Sequence, residues 1–430
     1  MPEQRWIRVI PVAFIMYTIA FIDRTNISLA QSAMSHDLHM DPAQAGNAAG
    51  VFFWGYLVLQ IPGGYFAHRW SAKRFVSLLL VAWGVSSVLT GFVHTSREFM
   101  VMRFLLGVAE GGVWPATLVL LANWFPRAER ARANAFWMLC LPVAVVLSSP
   151  LSGWILGRWN WRVLLVTEGL FPILWLAVWL WFISDYPHQA SWISREEREY
   201  LETTLRRESS ELEPAAPEPY LRALLRPQVL ILVAVYVLQT SGTYGYLFWL
   251  PTALGSVRKL SSLFVGVLFM IPYLMTAVGM VLNARHSDRK RERRGHVAFA
   301  EAWGGVFLLG AVLTAGHSTL TSFVFICLAG AGPYAALGPF WAIPTETLPR
   351  GVAAPAMGLI NAIGNLGGYF GPLVVGFLNK KTGSFVYGFG LLSVGLLVAS
   401  TLAFLLRPAQ AATPVGDSRS QASAAPADAG

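Results

Sequence analysis

Four charged residues stand where charge is costly. Asp23 and Arg24 are neighbours inside one long apolar run, and Arg103 and Glu110 lie inside another. An ionisable group at the centre of a membrane helix costs about 2.5–3.5 kcal/mol on insertion scales, so it is normally functional or paired. Two guanidinium groups and two carboxylates form a set that is neutral as a whole. A carboxylate arriving from outside leaves that set at −1 in a poorly solvated place. A proton on Asp23 or Glu110 restores neutrality and frees an arginine for bidentate capture of the anion. Proton and anion then favour each other's binding, and this reciprocity is symport. The competing reading of the same four residues is an ion-pair cluster that locks two helices.

Spacing favours a shared site. Arg103, Gly107, Glu110 and Gly111 follow i, i+4, i+7, i+8 and share one helix face. The glycines thin that face for the approach of another helix or a ligand. With a rise of ~1.5 Å per residue, Asp23, Arg24 and Arg103 fall roughly 10 Å below the outer surface and Glu110 roughly 10 Å deeper. All four are expected to meet in one cavity.

Membrane helices must position these groups. Of 430 residues, 55% are hydrophobic and only 13% charged, with 17 Trp and 26 Phe, and the mean hydropathy is +0.52. Soluble chains carry roughly a quarter charged residues, so most of this surface faces lipid. A span needs about 20 apolar residues. Twelve such stretches occur, near 9–31, 45–67, 75–94, 98–122, 133–156, 164–183, 228–250, 262–284, 297–316, 321–343, 352–378 and 384–406. The fold class is all-α, a membrane protein of twelve transmembrane helices in two pseudo-symmetric six-helix bundles, 1–183 and 228–406. Segment 184–227 joins them. Within it the Ser194/Glu197 spacing and Leu201 with Leu205 predict an amphipathic helix over 195–208, and 211–220 reads as a linker. The tail over 407–430, rich in Ala, Ser and Pro, is expected to be disordered.

Most of the 32 basic residues fall in segments on the N-terminal side of the membrane. By the positive-inside rule both termini are cytoplasmic, and the chain is a multi-pass protein of the cell inner (plasma) membrane. The net charge of +9 is then topology, with no nucleic-acid partner required. MPEQRWIR leads into a span too long for a cleavable signal. Cys140 and Cys327 lie in apolar stretches and fit packing, with no metal site or disulfide. No phosphate-binding loop occurs, and GFGLLS (388–393) lacks the strand a nucleotide site needs. An enzyme is not expected.

The halves look duplicated. GGYFAHRWSAKR (63–74) follows the second stretch and NARHSDRKRERR (283–294) the eighth; Pro126 and Pro349 recur at nearly the same offset. In such architectures substrate sits between the halves near the midplane. The C-terminal half shows no ionisable group deep in its spans, Glu301 and Glu346 lying near helix ends. It offers Gln239, Tyr244, Tyr273, Tyr334, Trp341, Asn361 and Asn365, able to bind hydroxyls or a ring, although aromatics of this kind equally serve packing. Asn361 and Asn365 share one face of a glycine-rich stretch.

FIDRTNIS (21–28), PGGYFAHRWSAKR (62–74), RFLLGVAEGGVWP (103–115), WNWRVLLVTEG (159–169) and NAIGNLGG (361–368) carry a resemblance. Over about 6–406 the chain resembles the major facilitator superfamily, and within it the anion:cation symporter family of galactonate, hexuronate, tartrate and phthalate permeases. The resemblance implies that Asp23 and Glu110 carry protons, that Arg24 contacts a substrate carboxylate, and that Arg103 pairs with the acids. It places Tyr56, Trp341 and Asn361 among binding residues. It also implies a cytoplasmic gate at His68 and Arg69, with Asp288 and Arg289 in the matching loop; His68 stands where the family usually has Asp. Met138-Leu139-Cys140-Leu141-Pro142 replaces a segment in which sugar-acid members place glutamine, which points away from a heavily hydroxylated substrate.

The expectation is a monomeric secondary transporter that takes up a small organic anion, a sugar acid or other carboxylate, with protons as coupling ion and no cofactor or metal. Uptake of an aromatic carboxylate or dicarboxylate, efflux by proton antiport, and an anion-binding membrane sensor remain as alternatives.

Overall fold

The protein is described from a computed structural model covering residues 3–210, 225–258, 260–348 and 350–406. The linker expected at 211–220 and the tail over 407–430 lie outside the described residues.

Helices make up nearly everything described. They are α1 (Gln4–Asp37), α2 (Pro42–Phe66), α3 (Ala72–Thr90), α4 (Ser96–Gly111), α5 (Val113–Trp124), α6 (Arg127–Met138), α7 (Cys140–Arg158) and α8 (Trp161–Phe182). A short amphipathic helix α9 (Arg195–Ser210) follows. The second set is α10 (Pro227–Arg258), α11 (Ser262–Lys290), α12 (Arg294–Thr314), α13 (Thr319–Ala335), α14 (Leu337–Thr347), α15 (Arg350–Gly364), α16 (Gly367–Thr382) and α17 (Val386–Phe404). α4/α5, α6/α7, α13/α14 and α15/α16 each run end to end as one span, which gives twelve. Among the described residues, ten of these spans are long and apolar enough to cross a membrane. The other two spans are α2 and α15/α16, both glycine-rich and packed on each other.

The breaks within spans have a local cause. Pro115, Pro142 and Pro339 each stand four residues beyond the last residue of a helix, namely Gly111, Met138 and Ala335. Proline has no N–H to give the carbonyl four residues back, and its ring crowds that carbonyl, so the ladder stops there. Elsewhere spans begin at side-chain caps: Asp41, Ser71, Thr95, Asn160, Ser261 and Ser318 each accept a hydrogen bond from a first-turn N–H. The amphipathic helix starts where the sequence places it, with the Ser194 hydroxyl accepting from the Glu197 N–H at 3.3 Å. The Glu197 carboxylate turns to the N-terminus and takes Arg5 Nη1 at 2.6 Å.

Glycine sets the closest helix approaches. A Cβ on Gly55 would strike the Phe104 carbonyl oxygen, one on Gly107 that of Phe52, and one on Gly111 that of Tyr56. The glycine face of α4 therefore admits α2. Between the halves, α7 packs on α11 and α2 on α16. There Gly266 meets the Ser149 carbonyl and Gly376 that of Pro42. Tyr369 donates to Asn47 Oδ1 at 3.1 Å, and Lys380 pairs with Asp41 at 2.9 Å. The halves are thus closed against each other at the end bearing Asp41 and Lys380.

At the opposite end, charged groups pair within their own half. Arg293 takes Asp288 at 2.5 Å and Glu346 at 2.9 Å. Asp185 accepts from the Ser71 hydroxyl at 2.5 Å and the Lys73 N–H at 2.8 Å. His68 and Arg69 are exposed on a π turn, Ala67–Ser71, and Arg289 is exposed at the end of α11.

Candidate functional site

One face of α1 opens the site. Tyr17, Phe21 and Arg24 follow i, i+4, i+7 and line a cavity between the halves, with about 540 Å³ of space not filled by atoms. Across it stand Tyr236, Gln239, Thr240, Thr243 and Tyr244 from α10, and Asn361 and Asn365 beside the break between α15 and α16. Tyr56, Trp114, Met138, Leu141, Pro333, Tyr334 and Leu337 complete the wall. Several of these residues sit beside helix breaks, as expected where a span's backbone turns toward a binding cavity.

Arg24 is the charged residue among the described lining. Its Nε donates to Glu110 Oε2 at 2.9 Å, and its Nη1 reaches the Tyr244 hydroxyl at 3.4 Å. Among the described residues its Nη2 has no hydrogen-bond partner, and neither has Glu110 Oε1. The guanidinium lies 4.7 Å from the Tyr56 ring centroid and 5.2 Å from that of Phe52, within cation–π range. Glu110 is fully buried behind the wall. Half the arginine fork is therefore spent on Glu110, and the other half is unspent.

The asparagines are tied into the opposite wall. Asn361 Nδ2 donates to Gln60 Oε1 at 2.6 Å, which joins the two halves, and Asn365 Nδ2 donates to Asn361 Oδ1 at 2.9 Å. The Gln239 amide nitrogen donates to the Pro333 carbonyl, leaving its Oε1 without a partner.

The structure does not bring all four expected charges into one cavity. Asp23 faces the interior of the first bundle. It accepts from the indole N–H of Trp83, from the Ser87 hydroxyl at 2.8 Å and from the Asn26 amide at 3.1 Å. Successive helical residues point ~100° apart, so Arg24 takes the cavity and its neighbour takes α3. Arg103, expected to pair with the acids, makes no salt bridge among the described residues. Its Nε and Nη1 are unpartnered, and it sits 4.7 Å from the Phe52 ring centroid, outside the cavity wall. Trp341 also stands off the wall, edge-on to Tyr236 at 5.2 Å. Tyr56, Asn361 and Asn365 do line the cavity.

Two buried acids lie outside the sequence-based set. Glu301 is fully buried in α12 with neither oxygen partnered among the described residues, so the second half does hold a deep ionisable group. Glu168, in α8, is 1% exposed. An acid within the apolar run 161–182 was the available signal for it.

The sequence profile of the Major Facilitator Superfamily matches residues 13–368. The chain belongs to this superfamily. It is a transport protein and not an enzyme, and it crosses the membrane many times. A protein named for tartrate transport in Agrobacterium vitis is 34% identical over 93% of each chain. One named for quinolone resistance in Acinetobacter baumannii is 30% identical, again over 93% of each. One named for galactarate/D-glucarate transport in Bacillus subtilis is 28% identical over 94% of this chain and 91% of the other. The likeness to tartrate and galactarate/glucarate proteins agrees with the resemblance to the anion:cation symporters. The inward-open structure of the xylose transporter from E. coli superposes with a TM-score of 0.76 at 14% identity, covering 94% of this chain and 97% of that one. It shares the twelve-helix fold.

Proposed function

We propose that the protein takes up a small organic anion, a carboxylate such as a sugar acid or dicarboxylate, together with protons. The carrying observation is the half-used fork of Arg24 on the cavity wall. A carboxylate entering beside Nη2 gains a charged hydrogen bond, worth about 1.5–3 kcal/mol. It also brings a second negative charge next to Glu110. A proton on Glu110 removes that repulsion and frees Nε, so the substrate receives the full fork. Relatives named for tartrate and galactarate/D-glucarate transport support this substrate class.

A second reading is export of an aromatic carboxylate by proton antiport. The aromatic wall formed by Tyr17, Phe21, Trp114, Tyr236 and Tyr334 favours it, as does the relative named for quinolone resistance. Proteoliposomes separate the readings. Labelled tartrate or glucarate should accumulate when an acid-outside gradient is imposed and should exchange in counterflow without one. Accumulation of a fluoroquinolone driven by an acid-inside gradient, with no acid uptake, would replace uptake by export. With either direction of transport the sensor reading falls.

A further inference from the structure

A second chamber lies in the C-terminal half, beside the cavity that Arg24 lines. It holds about 340 Å³ of space not filled by atoms, among α10, α11, α12, α13 and α17. Thr243, Pro333 and Tyr334 line both spaces, so the two share a wall. Small residues leave the room: Gly242, Gly304, Ala329 and Gly330. Two phenols line it as well. Tyr273 of α11 is 2% exposed and Tyr334 of α13 is 7% exposed, with ring centroids 6.2 Å apart. Neither hydroxyl has a hydrogen-bond partner among the described residues, although a buried phenol usually finds one. Two neighbouring hydroxyls are committed: Tyr246 donates to the Ile326 carbonyl at 3.0 Å and Thr276 to the Gly330 carbonyl at 2.6 Å. At the shared wall the Gln239 amide nitrogen holds the Pro333 carbonyl, and Gln239 Oε1 is left over as an acceptor.

The set thus offers two O–H donors and one carbonyl acceptor, and it carries no charge. Among the described lining of both spaces, Arg24 is the one charged residue. An alcohol complements such a set, since its oxygen accepts from a phenol and its O–H donates to an amide oxygen. Solvent serving these groups is replaced without loss by a ligand group that reproduces its hydrogen bonds. Phe21 bridges the two ends of the site. The Arg24 guanidinium lies 5.9 Å from its ring centroid, and the Tyr334 centroid lies 6.5 Å from it. We propose that the chamber is a substrate subsite for the hydroxyl-bearing end of an acid whose carboxylate Arg24 holds. Tyr273 and Tyr334 are its donors, and Gln239 is the acceptor at its mouth. The inference rests on the carboxylate reading of Arg24 and narrows the substrate to hydroxylated acids. Beside Arg24 the first half lines the cavity with Trp114, Met138 and Leu141. The apolar segment 138–142 is therefore no bar to a hydroxylated substrate, because the polar partners stand across the cavity.

Calorimetry on the full-length protein in lipid nanodiscs tests this with gluconate and hexanoate, which share a chain length and a carboxylate and differ in hydroxyls. The wild type should prefer gluconate. Tyr273→Phe and Tyr334→Phe, which keep the ring and remove the hydroxyl, should each lower that preference about fivefold, as for one lost hydrogen bond. Equal affinity for the two acids in the wild type overturns the proposal, as does a preference that both variants retain. Should the variants fail to fold, the wild type is titrated with gluconate lacking its terminal hydroxyl. Weaker binding of that analogue supports the subsite, and equal binding overturns it. Uptake of labelled glucarate driven by a proton gradient, measured in parallel, keeps the two ideas apart. Driven uptake without the gluconate preference sinks the subsite alone, and the preference without driven uptake sinks the symport reading alone. A wild type that binds and transports none of these acids sinks both.

Discussion

Arg24 is held by one carboxylate, one phenol and two aromatic faces, with one nitrogen unspent. That arrangement uses the planar fork, which lysine lacks. Arg24→Lys should weaken binding of the transported acid about tenfold or more, matching the ≥1.4 kcal/mol of a lost charged hydrogen bond. Calorimetry on the folded variant checks this, and an unchanged affinity removes Arg24 from the site. Glu110 separates coupling from structure more sharply. Glutamine mimics the protonated acid and leaves Arg24 Nε available, so Glu110→Gln should retain counterflow and lose gradient-driven accumulation. If Glu110 serves only as a structural partner, its loss leaves a buried guanidinium uncompensated, at a typical cost of ~3–5 kcal/mol. Folding, binding and exchange would then decline together. Measuring both transport modes on one preparation distinguishes the cases.

At the scale of elements, glycine and proline do most of the placing. Proline positions account for three of the four span breaks, but Pro150, Pro172 and Pro272 lie inside unbroken helices, so the sequence alone did not show which prolines would interrupt a span. The glycines of α4 were legible as a thin face, but not which neighbour would use it; α2 does, through the Phe52 and Tyr56 carbonyls. The glycines between α7 and α11 hold the closed end. Gly266→Leu cannot be accommodated against the Ser149 carbonyl, so that end should spend more time open. An impermeant maleimide should label Asn47→Cys severalfold faster in this background. Gly157→Leu, where nothing lies within 4 Å of the new Cβ, should leave the rate unchanged. Equal labelling in both backgrounds would show that the Gly266 contact does not hold the gate.

Across the whole molecule, the Asp41–Lys380 pair latches the two halves at one end. Partial burial pushes the Asp41 carboxyl up, but the Lys380 ammonium and the Gln44 N–H outweigh it and hold the group below its ordinary 3.8. A group whose folded value is depressed contributes stability above its unfolded value and loses it as pH falls through the folded one. The latch is therefore intact throughout the neutral range and fails only in acid below about pH 4. Thermal unfolding of wild type against Asp41→Asn should show a constant difference, under about 1 kcal/mol for a half-exposed pair, that fades only in strong acid. A difference that changes between pH 5 and 8 would mean that another group governs this end. On the proposed reading, proton dependence in the neutral range belongs to the buried acids and not to the latch.

The sequence by itself determined the membrane, the helical class and the rough position of every span. Bilayer thickness fixes how many apolar residues a helix needs, and that length is written locally. It also marked Arg24 and Glu110 as charges needing partners at such depth, while their pairing with each other, at 2.9 Å, came from the structure. Only the tertiary structure decided which way each side chain faces. Asp23 and Arg24 are consecutive, yet one enters the cavity and the other meets Trp83 and Ser87. The outcome depends on the rotation of α1 about its own axis, set by packing against α7, α8 and α10. The same holds for Arg103, placed outside the wall beside Phe52, and for Glu168, buried against the Ser152 hydroxyl of α7. Burial in lipid is a one-dimensional property of the chain. Partnership inside a bundle requires two helices at once.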